Sequence, residues 1–530
     1  MPSKLNSVEL FIYFSVWIGT NCYVGYGLLQ VQNELLEDFP EDKWSYLEPG
    51  WDYLSKYRDV SDMQWNSWKF LFQRLWYYLI FQFFISEMIR VVHNSDSYLK
   101  YWYLISSVIF ITSYMGVNHM IIITAHPFLF LLIIFLGGGK RSIWSISSIL
   151  IGTFNLYTFT YKRNIWDFLK DTYEEEAHLI LVCAAWTEVR CISFCIDYID
   201  SKDKLKASED VAANATSTWE TIINMLSYIF YLPLLYTGSI ILYDDFERSF
   251  KVQRYDMTTR LRRFIWDMIL FLLYSFILDL AHHYIYFRGM QYEIEEIMDL
   301  PLLALCGGCV WMGHEFHTKH VISFGTTSAY ARLDHMEAPP TPRCFARIHL
   351  YSLMWKYFDV GLYKFLVKYI YKPSLIVVSR DLRQLPAMLQ KLMASYISFA
   401  FIYIWHGTTW DTLVWTAKHV LCFTLEHLGK ATSTTHAYKW FKKEVLRSDE
   451  MEVRFLALVC TPLLILSTTT TSFLVGVANN YYSACLLHTS IWNTVLVTLF
   501  MYSFCQVSIA LQHVSARTDI KEPVVHSKTQ

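Results

Sequence analysis

Charged residues are scarce in this chain. Of its 530 residues only 17% are Asp, Glu, Lys or Arg, whereas 54% are hydrophobic and 17% are aromatic. Soluble domains carry about 25% charged residues, so the composition argues against an array of soluble domains. The charges that are present nearly cancel, to a net charge of −2, which argues against a nucleic-acid partner.

Several sequence signatures of other protein classes are also absent. The sequence contains no Gly-rich phosphate loop, low-complexity tract or basic array of the voltage-sensor type. No repeated half is visible, which weakens the case for a secondary transporter. The 11 cysteines are scattered, mostly inside apolar segments, where a thiol usually behaves as a small hydrophobe. No disulfide framework is indicated.

Long apolar runs are what the chain has in abundance. Examples are Leu10–Leu29, Met120–Gly139, Phe264–Ala281 and Phe455–Ala478. A spanning helix needs about 20 mostly apolar residues. The sequence therefore predicts an all-α, multi-pass transmembrane helical bundle, with about ten spans plus re-entrant segments. The first run is expected to be a retained anchor rather than a cleaved signal peptide.

Polar segments between these runs suggest an orientation in the membrane. Basic residues concentrate in Lys251–Arg263, Lys364–Lys372 and Lys439–Arg447, and the positive-inside rule predicts that all three segments are cytosolic. The sequon at Asn214 lies in another polar segment, and it would be glycosylated only if that loop were lumenal.

Ionisable residues inside apolar runs are the first candidates for function, because charge at membrane depth is costly. They include Glu188, Arg190, Asp267, Asp279 and His282. For each of them alone, a paired charge or a charge that reaches the interface near a helix end is the favoured interpretation.

A cysteine–histidine cluster in "CGGCVWMGHEFHTKH" resembles zinc-ligand spacing. Its members are Cys306, Cys309, His314, His317 and His320. However, His-Glu-Phe-His is one residue short of the H-E-x-x-H motif, and Cys-Gly-Gly-Cys suits close helix packing. Helix packing is the favoured interpretation.

Asp359 follows a proline-rich stretch that cannot form a regular helix. Pro339, Pro340 and Pro342 fall within four positions, and proline breaks helix interiors. Asp359 then stands inside the aromatic run "MWKYFDVGL". Irregular backbone near a membrane is tolerated where it is buried in protein or lines a cavity, so a pocket or tunnel wall is predicted. An interfacial amphipathic helix with a solvated aspartate is the alternative.

His406 ends a run of apolar and aromatic residues in "SFAFIYIWHGTTWDTLVW". Gly407 predicts a helix C-terminus there, and Thr409 or Asp411 predicts the N-cap of a following helix. On spacing alone, a lone histidine on an apolar face is more often a satisfied core residue. If it is catalytic, general base is the natural role.

Together these segments resemble the membrane-bound O-acyltransferase (MBOAT) family, within it the branch that acylates Hedgehog proteins. The resemblance is densest in "PRCFARIHLYSLMWKYFDVGL" and "SFAFIYIWHG", and it includes "FYLPLLYTGSIILYDDF". It departs from the family at Ser239, where the family places proline. It implies one integral-membrane domain over residues 1–530, a catalytic core at about 220–480 and a polar tail at 516–530, with a central tunnel.

The resemblance also implies roles for individual residues. His406 and Asp359 match the family's two catalytic positions, Trp355 matches an aromatic residue near the thioester, and Cys344 matches a cysteine that ligates haem. Lys356 is a candidate for the CoA phosphates, as are Lys364 and Lys368, with ordinary interfacial lysines as the alternative. No cofactor is implied for the chemistry itself, although haem b is implied at Cys344.

The function implied is transfer of palmitate from palmitoyl-CoA to the N-terminal cysteine amine of a Hedgehog-type secreted protein. The enzyme would lie in the lipid bilayer of the endoplasmic reticulum, with the Golgi as a second location. An O-acyltransferase acting on a serine hydroxyl or a lipid is one alternative. A non-enzymatic membrane transporter is the alternative from another class.

Overall fold

The computed structural model describes residues 5–38, 46–160, 174–207, 217–237, 240–251, 255–344, 349–473 and 478–519. Asn214, Ser239 and most of the polar tail lie outside these residues. Within them the chain folds into helices and one small β-hairpin. The hairpin pairs β1 (Leu47–Pro49) antiparallel with β2 (Tyr57–Asp59).

The helices vary from four to 34 residues in length. In chain order they are α1 (Ser7–Asp38), α2 (Met63–Val92), α3 (Asp96–Tyr114), α4 (Val117–Phe135), α5 (Lys140–Thr160), α6 (Glu174–Ala207), α7 (Thr218–Ile229), α8 (Tyr243–Lys251), α9 (Met257–Ala281), α10 (Phe287–Met290), α11 (Ile294–Asp299), α12 (Leu302–Leu333), α13 (Tyr351–Phe358), α14 (Val360–Phe365), α15 (Lys372–Asp381), α16 (Ala387–His406), α17 (Trp410–Ser433), α18 (His436–Phe441), α19 (Asp449–Phe473), α20 (Ala478–Leu487) and α21 (Ile491–Asp519). Leu232–Leu234 forms a 3₁₀ turn, and π-helical segments follow α14 and α18 at Leu366–Tyr371 and Lys442–Leu446.

Six of the described helices are long and apolar enough to cross a membrane: all or part of α2, α4, α6, α9, α16 and α21. The outer helices expose apolar side chains, such as Ile265, Trp266 and Ile269 on α9, as expected for a surface in contact with lipid. The prediction of an all-α, multi-pass membrane bundle is confirmed. The count of about ten spans stays a prediction.

Helix α6 lies at the centre of the bundle. In its apolar window 83% of the residues are buried, compared with 11% in the window of α9. Arg190, near the middle of α6, donates hydrogen bonds to the carbonyl oxygens of Ile229 (3.3 Å), Leu234 and Leu235. Because these carbonyls belong to the end of α7 and the 3₁₀ turn, Arg190 fixes that irregular segment against the central helix.

The other intramembrane charges are mostly paired, as predicted. Asp267 lies 3.2 Å from Arg332, and Asp279 lies 2.7 Å from Lys69. Glu188 is an exception, since it is buried and its Oε1 has no hydrogen-bond partner among the described residues.

A buried ion network fixes the point where α12 ends. Asp334 accepts hydrogen bonds from Arg90 (2.7 Å) and from the Tyr231 hydroxyl (3.1 Å). Glu87 links Arg90 to Arg260, at 2.6 and 3.1 Å. Charges at this depth persist only when they are paired and hydrogen-bonded, so the network holds the start of the proline-rich stretch to α2 and α9.

The cysteine–histidine cluster lies on one continuous helix, α12. His317 Nε2 lies 3.3 Å from the Pro342 carbonyl oxygen. The Nδ1–H of His320 donates to the Phe316 carbonyl (2.6 Å), and its Nε2 faces Gln64 at 3.3 Å. Over the described residues, no group of three or more His, Cys, Asp or Glu side chains is placed to hold a metal ion.

Candidate active site

Asp359 stands at a break between two short helices. The backbone from 335 to 344 is not helical, as the prolines predict, and α13 then ends at Asp359, which has an extended conformation (φ −120°, ψ 93°). Its carboxylate accepts a hydrogen bond from the backbone N–H of Leu362 at 2.9 Å and so caps α14. Burial raises the pKa of the Asp359 carboxyl to about 6. A helix that continues through Asp359 is therefore wrong, and the role of its half-buried carboxylate stays a prediction.

Gly361 allows the turn at Asp359 to pack closely against a neighbouring backbone segment. A Cβ at Gly361 would lie 2.2 Å from the carbonyl oxygen of Ile240 and 2.9 Å from its nitrogen, distances that real atoms do not reach. Glycine therefore lets the first turn of α14 pack directly on the backbone of the segment that follows the 3₁₀ turn. The two segments "MWKYFDVGL" and "FYLPLLYTGSIILYDDF" meet at this point.

His406 is the last residue of α16. Gly407 has φ 110° and ends the helix, and the Thr409 hydroxyl accepts a hydrogen bond from the Thr412 N–H (3.2 Å) to cap α17. Both sequence predictions about these caps are confirmed. The break falls at a glycine because a residue with a β-carbon would be strained at this φ.

The hydrogen bonding of His406 defines which nitrogen can accept a proton. Its Nδ1 lies 3.0 Å from the Ile402 carbonyl oxygen. A carbonyl can only accept, so Nδ1 carries the hydrogen and the neutral ring has its lone pair on Nε2. An imidazole in this tautomer is arranged to act as a base at Nε2.

The ring of His406 is exposed, and its centroid lies 4.9 Å from that of Trp405 in an edge-to-face contact. Next to it, the Trp405 indole N–H donates to the Ala185 carbonyl (3.3 Å) and the ring contacts Trp186, which pins the end of α16 to the central helix.

An aromatic chain connects His406 to the helix that carries Asp359. The His406 ring lies 5.2 Å from Trp415, and Trp415 lies 5.9 Å from Trp355, between ring centroids. Trp355 is on α13, one helical turn before Asp359. The structure therefore brings His406, Trp355 and the Asp359 turn into one region.

The start of α13 is fastened to α17. The Ser352 N–H donates to Glu426 at 2.9 Å, and an anionic side chain is favourable at a helix N-terminus. At the other end of α13, Phe358 stacks on Phe316 of α12 with ring centroids 5.3 Å apart. The short helix is therefore held between α12 and α17.

The three candidate lysines differ in their partners. Lys364 lies 3.1 Å from Asp245, and Lys368 lies 3.0 Å from Asp197 and 2.8 Å from Asp244. Lys356 is exposed, and the ammonium lies 5.1 Å from the centre of the Tyr357 ring. Lys364 and Lys368 already have carboxylate partners, so Lys356 is the strongest of the three candidates for a phosphate contact.

Cys344 is half-buried and packs against a cluster formed by α19 and α21, which includes Ala457, Leu464 and Phe504. A cysteine thiolate is a suitable axial ligand for haem iron, and a porphyrin face needs apolar neighbours. The donor and its neighbours are of the chemical kind that a haem site needs, and haem at Cys344 stays a prediction.

Trp415, His419 and Gly361 were missed by reasoning from the sequence. Trp415 and His419 are one turn apart on α17, but their contact with Trp355 depends on how α13 folds back. The contact of Gly361 could not be predicted either, because the sequence does not indicate which backbone segment a glycine packs against.

Comparison with known proteins agrees with this architecture. Residues 130–447 match the model of MBOAT, the membrane-bound O-acyltransferase family. The chain belongs to this family, and the protein is a multi-pass membrane acyltransferase.

Among individual proteins, the chain is similar to the protein-cysteine N-palmitoyltransferase Rasp of Drosophila melanogaster, with 25% identity over 492 residues and 89% of both chains covered. It is 24% identical over 374 residues to the protein-cysteine N-palmitoyltransferase HHAT of Mus musculus, covering 69% of this chain and 71% of the relative. It is 21% identical over 442 residues to the membrane-bound O-acyltransferase GUP1 of Candida tropicalis, covering 78% and 72% of the two chains.

Proposed function

We propose that this protein transfers palmitate from palmitoyl-CoA to the N-terminal cysteine amine of a Hedgehog-type secreted protein. The observation that carries the proposal is the convergence of His406, Trp355 and the Asp359 turn within an acyltransferase fold. Similarity to two protein-cysteine N-palmitoyltransferases over most of the chain supports this choice of donor and acceptor.

The amine must lose a proton before it can attack. An α-ammonium group has a pKa of about 7.7–8.0, so much of it is charged at neutral pH. His406 Nε2 accepts this proton, and Asp359 attracts the incoming ammonium group. The nitrogen then adds to the thioester carbonyl carbon, and the C–S bond breaks as the amide forms. One proton leaves with the CoA thiol, and the other passes to water.

The apolar interior supplies most of the donor binding. Each CH₂ of the acyl chain contributes about 0.8 kcal/mol when it is buried. Holding the thioester carbon beside the amine removes the entropy cost of bringing the two reactants together. Lys356 binds a phosphate of CoA near the entrance.

Haem b is a further part of the proposal. Cys344 would hold it, and it would act as a structural group that takes no part in acyl transfer. Visible absorbance of the purified protein that disappears in Cys344→Ala would support this site, and a colourless wild-type protein purified from haem-sufficient cells would exclude it.

The endoplasmic reticulum membrane is the proposed location, since the acceptor is a secreted protein. An O-acyltransferase with a hydroxyl acceptor is the second candidate, because the similarity to GUP1 shows that the family extends beyond N-acylation.

The test is an assay in detergent with purified protein, labelled palmitoyl-CoA and two matched peptides. One peptide begins with cysteine, and the other has the same sequence with an acetylated N-terminus and a serine. A hydroxylamine-resistant label on the first peptide alone is expected. Label on the serine peptide alone would favour the O-acyltransferase, and no label on either peptide would contradict the proposal.

A further inference from the structure

His419 is a buried histidine with no hydrogen-bond partner among the described residues. Its side chain lies on α17 and is only 2% exposed, and both Nδ1 and Nε2 are unpaired. Two other histidines of the region, the exposed His406 and the half-buried His427, differ. His406 and His427 each donate from Nδ1 to a backbone carbonyl one turn earlier, at 3.0 and 2.9 Å.

The His419 ring is enclosed by aromatic side chains. It lies 4.7 Å from Trp415, 5.2 Å from Trp355 and 5.3 Å from Tyr351, between ring centroids. Trp415 is also the residue that contacts His406. His419 therefore belongs to the same cluster as the proposed base, but on the side of Trp415 that faces α13.

A second unpaired donor lies beside it. The indole N–H of Trp355 is buried and has no partner in the part of the chain that the structure describes. A neutral imidazole offers one N–H donor and one acceptor, and an indole offers a donor only. The two ring centroids are only 5.2 Å apart, and a carbonyl oxygen has two lone pairs with which to accept from both N–H groups.

Leaving these groups unpaired is costly. A buried polar group without a partner destabilises a protein by about 1–3 kcal/mol, and a phenylalanine would fill much of the same volume without that penalty. A cost of this kind at a cluster that contacts His406 indicates that a ligand satisfies the nitrogens when it is bound.

We propose that Trp355 and His419 form a hydrogen-bonding subsite for a carbonyl oxygen of the acyl-CoA substrate. That oxygen belongs either to the thioester or to an amide of the pantetheine arm. The Trp355 side chain is only partly buried, so the ligand approaches the subsite from the exposed edge of this residue. This inference rests on the proposed function, because it requires acyl-CoA binding in the cluster around His406.

The test compares wild type with His419→Phe, using thermal unfolding in detergent with and without palmitoyl-CoA, and the KM for palmitoyl-CoA. Removing an unpaired imidazole leaves the ligand-free protein at least as stable as wild type. The KM rises about 3- to 10-fold, which is the loss expected for one or two neutral hydrogen bonds, and the stabilisation by palmitoyl-CoA shrinks. His427→Phe, on the same helix, is the matched control and leaves both quantities unchanged.

Two further measurements separate the alternatives. S-hexadecyl-CoA lacks the thioester carbonyl but keeps the pantetheine amides. If His419→Phe weakens the binding of this thioether as well, the contact is to an amide. If it weakens the binding of palmitoyl-CoA alone, the contact is to the thioester. If His419→Phe does not fold, Trp355→Phe takes its place as the test. It removes the N–H but keeps an aromatic ring, and the same change in KM is expected.

The inference and the proposed function fail in different ways. If palmitoyl-CoA stabilises wild type and His419→Phe equally, with equal KM values, the subsite is contradicted and His419 is a poorly satisfied core residue. If palmitoyl-CoA does not stabilise wild type at all, the proposed function itself is contradicted.

Discussion

The imidazole of His406 and the indole of Trp415 lie 5.2 Å apart, across the break between α16 and α17. Trp415 is 7% exposed and also contacts Trp355. One buried indole therefore links the end of α16 to α13, the helix that leads to Asp359. This contact gives the two predicted catalytic positions a shared structural support.

Asp359 has two separable roles, helix cap and carboxylate. Asparagine caps a helix about as well as aspartate does, whereas alanine costs about 1 kcal/mol. At neutral pH, Asp359→Asn is therefore expected to melt at least as high as wild type but to lose at least about tenfold in kcat/KM, because the ammonium group loses its counter-charge. Asp359→Ala is expected to lose stability as well as activity, because it removes the cap and the carboxylate together. If Asp359→Asn keeps full activity while Asp359→Ala does not, the residue is a cap and no more.

The stability of the protein depends on pH through Asp359. Burial raises its pKa to about 6, so the folded state binds this proton more tightly than the unfolded state, where the pKa is about 3.9. The stability contributed by the proton is fully present below about pH 4 and is lost as the pH rises through 6. Relative to Asp359→Asn, wild type should lose about 2 kcal/mol between pH 4 and pH 7. Parallel unfolding curves for the two proteins across this range would contradict the raised pKa.

Gly361 should not tolerate even a methyl group. Its Cβ would lie 2.2 Å from the Ile240 carbonyl oxygen, and overpacking of this kind costs about 1–3 kcal/mol. Gly361→Ala is expected to lower the melting temperature and to reduce kcat, because the Asp359 turn is displaced. Gly429→Ala is the control: nothing lies within 4 Å of its Cβ position, and alanine favours a helix. Equal behaviour of the two variants would show that the contact with Ile240 is unimportant.

Lys356 should contribute to donor binding through charge. Lys356→Ala is expected to raise the KM for palmitoyl-CoA several-fold and to weaken the dependence of that KM on salt, since an exposed ion pair is screened by salt. Lys364→Ala is the comparison, because Lys364 is paired with Asp245, and it should change the KM less. A larger effect from Lys364 than from Lys356 would move the phosphate site to α14.

Much of the fold could be predicted from the sequence, because the composition and length of apolar segments identify membrane helices. Gly407 and Thr409 also predicted the break at His406, since both are common helix-capping residues. The contacts of Trp355 and Gly361 could not be predicted. They depend on α13 and α14 folding back against α17 and Ile240, and a distance between segments far apart in sequence leaves no local pattern.

Lys364 and Lys368 show a second limit. As sequence, "KFLVKYIYK" is a basic run that suits CoA phosphates or an interface. In the structure, Asp197, Asp244 and Asp245 neutralise two of its charges, and nothing in the run itself indicates those partners.

The most direct test of the central claim is the rate of palmitate transfer to a cysteine-initiated peptide by His406→Ala, together with its melting temperature and its binding of palmitoyl-CoA. Loss of a general base lowers turnover about 10²- to 10⁴-fold. We predict this loss of turnover in His406→Ala, while its melting temperature and its binding of palmitoyl-CoA stay close to those of wild type. His427→Ala is expected to stay active. Wild-type turnover in a folded His406→Ala protein would contradict the assignment of His406 as the base.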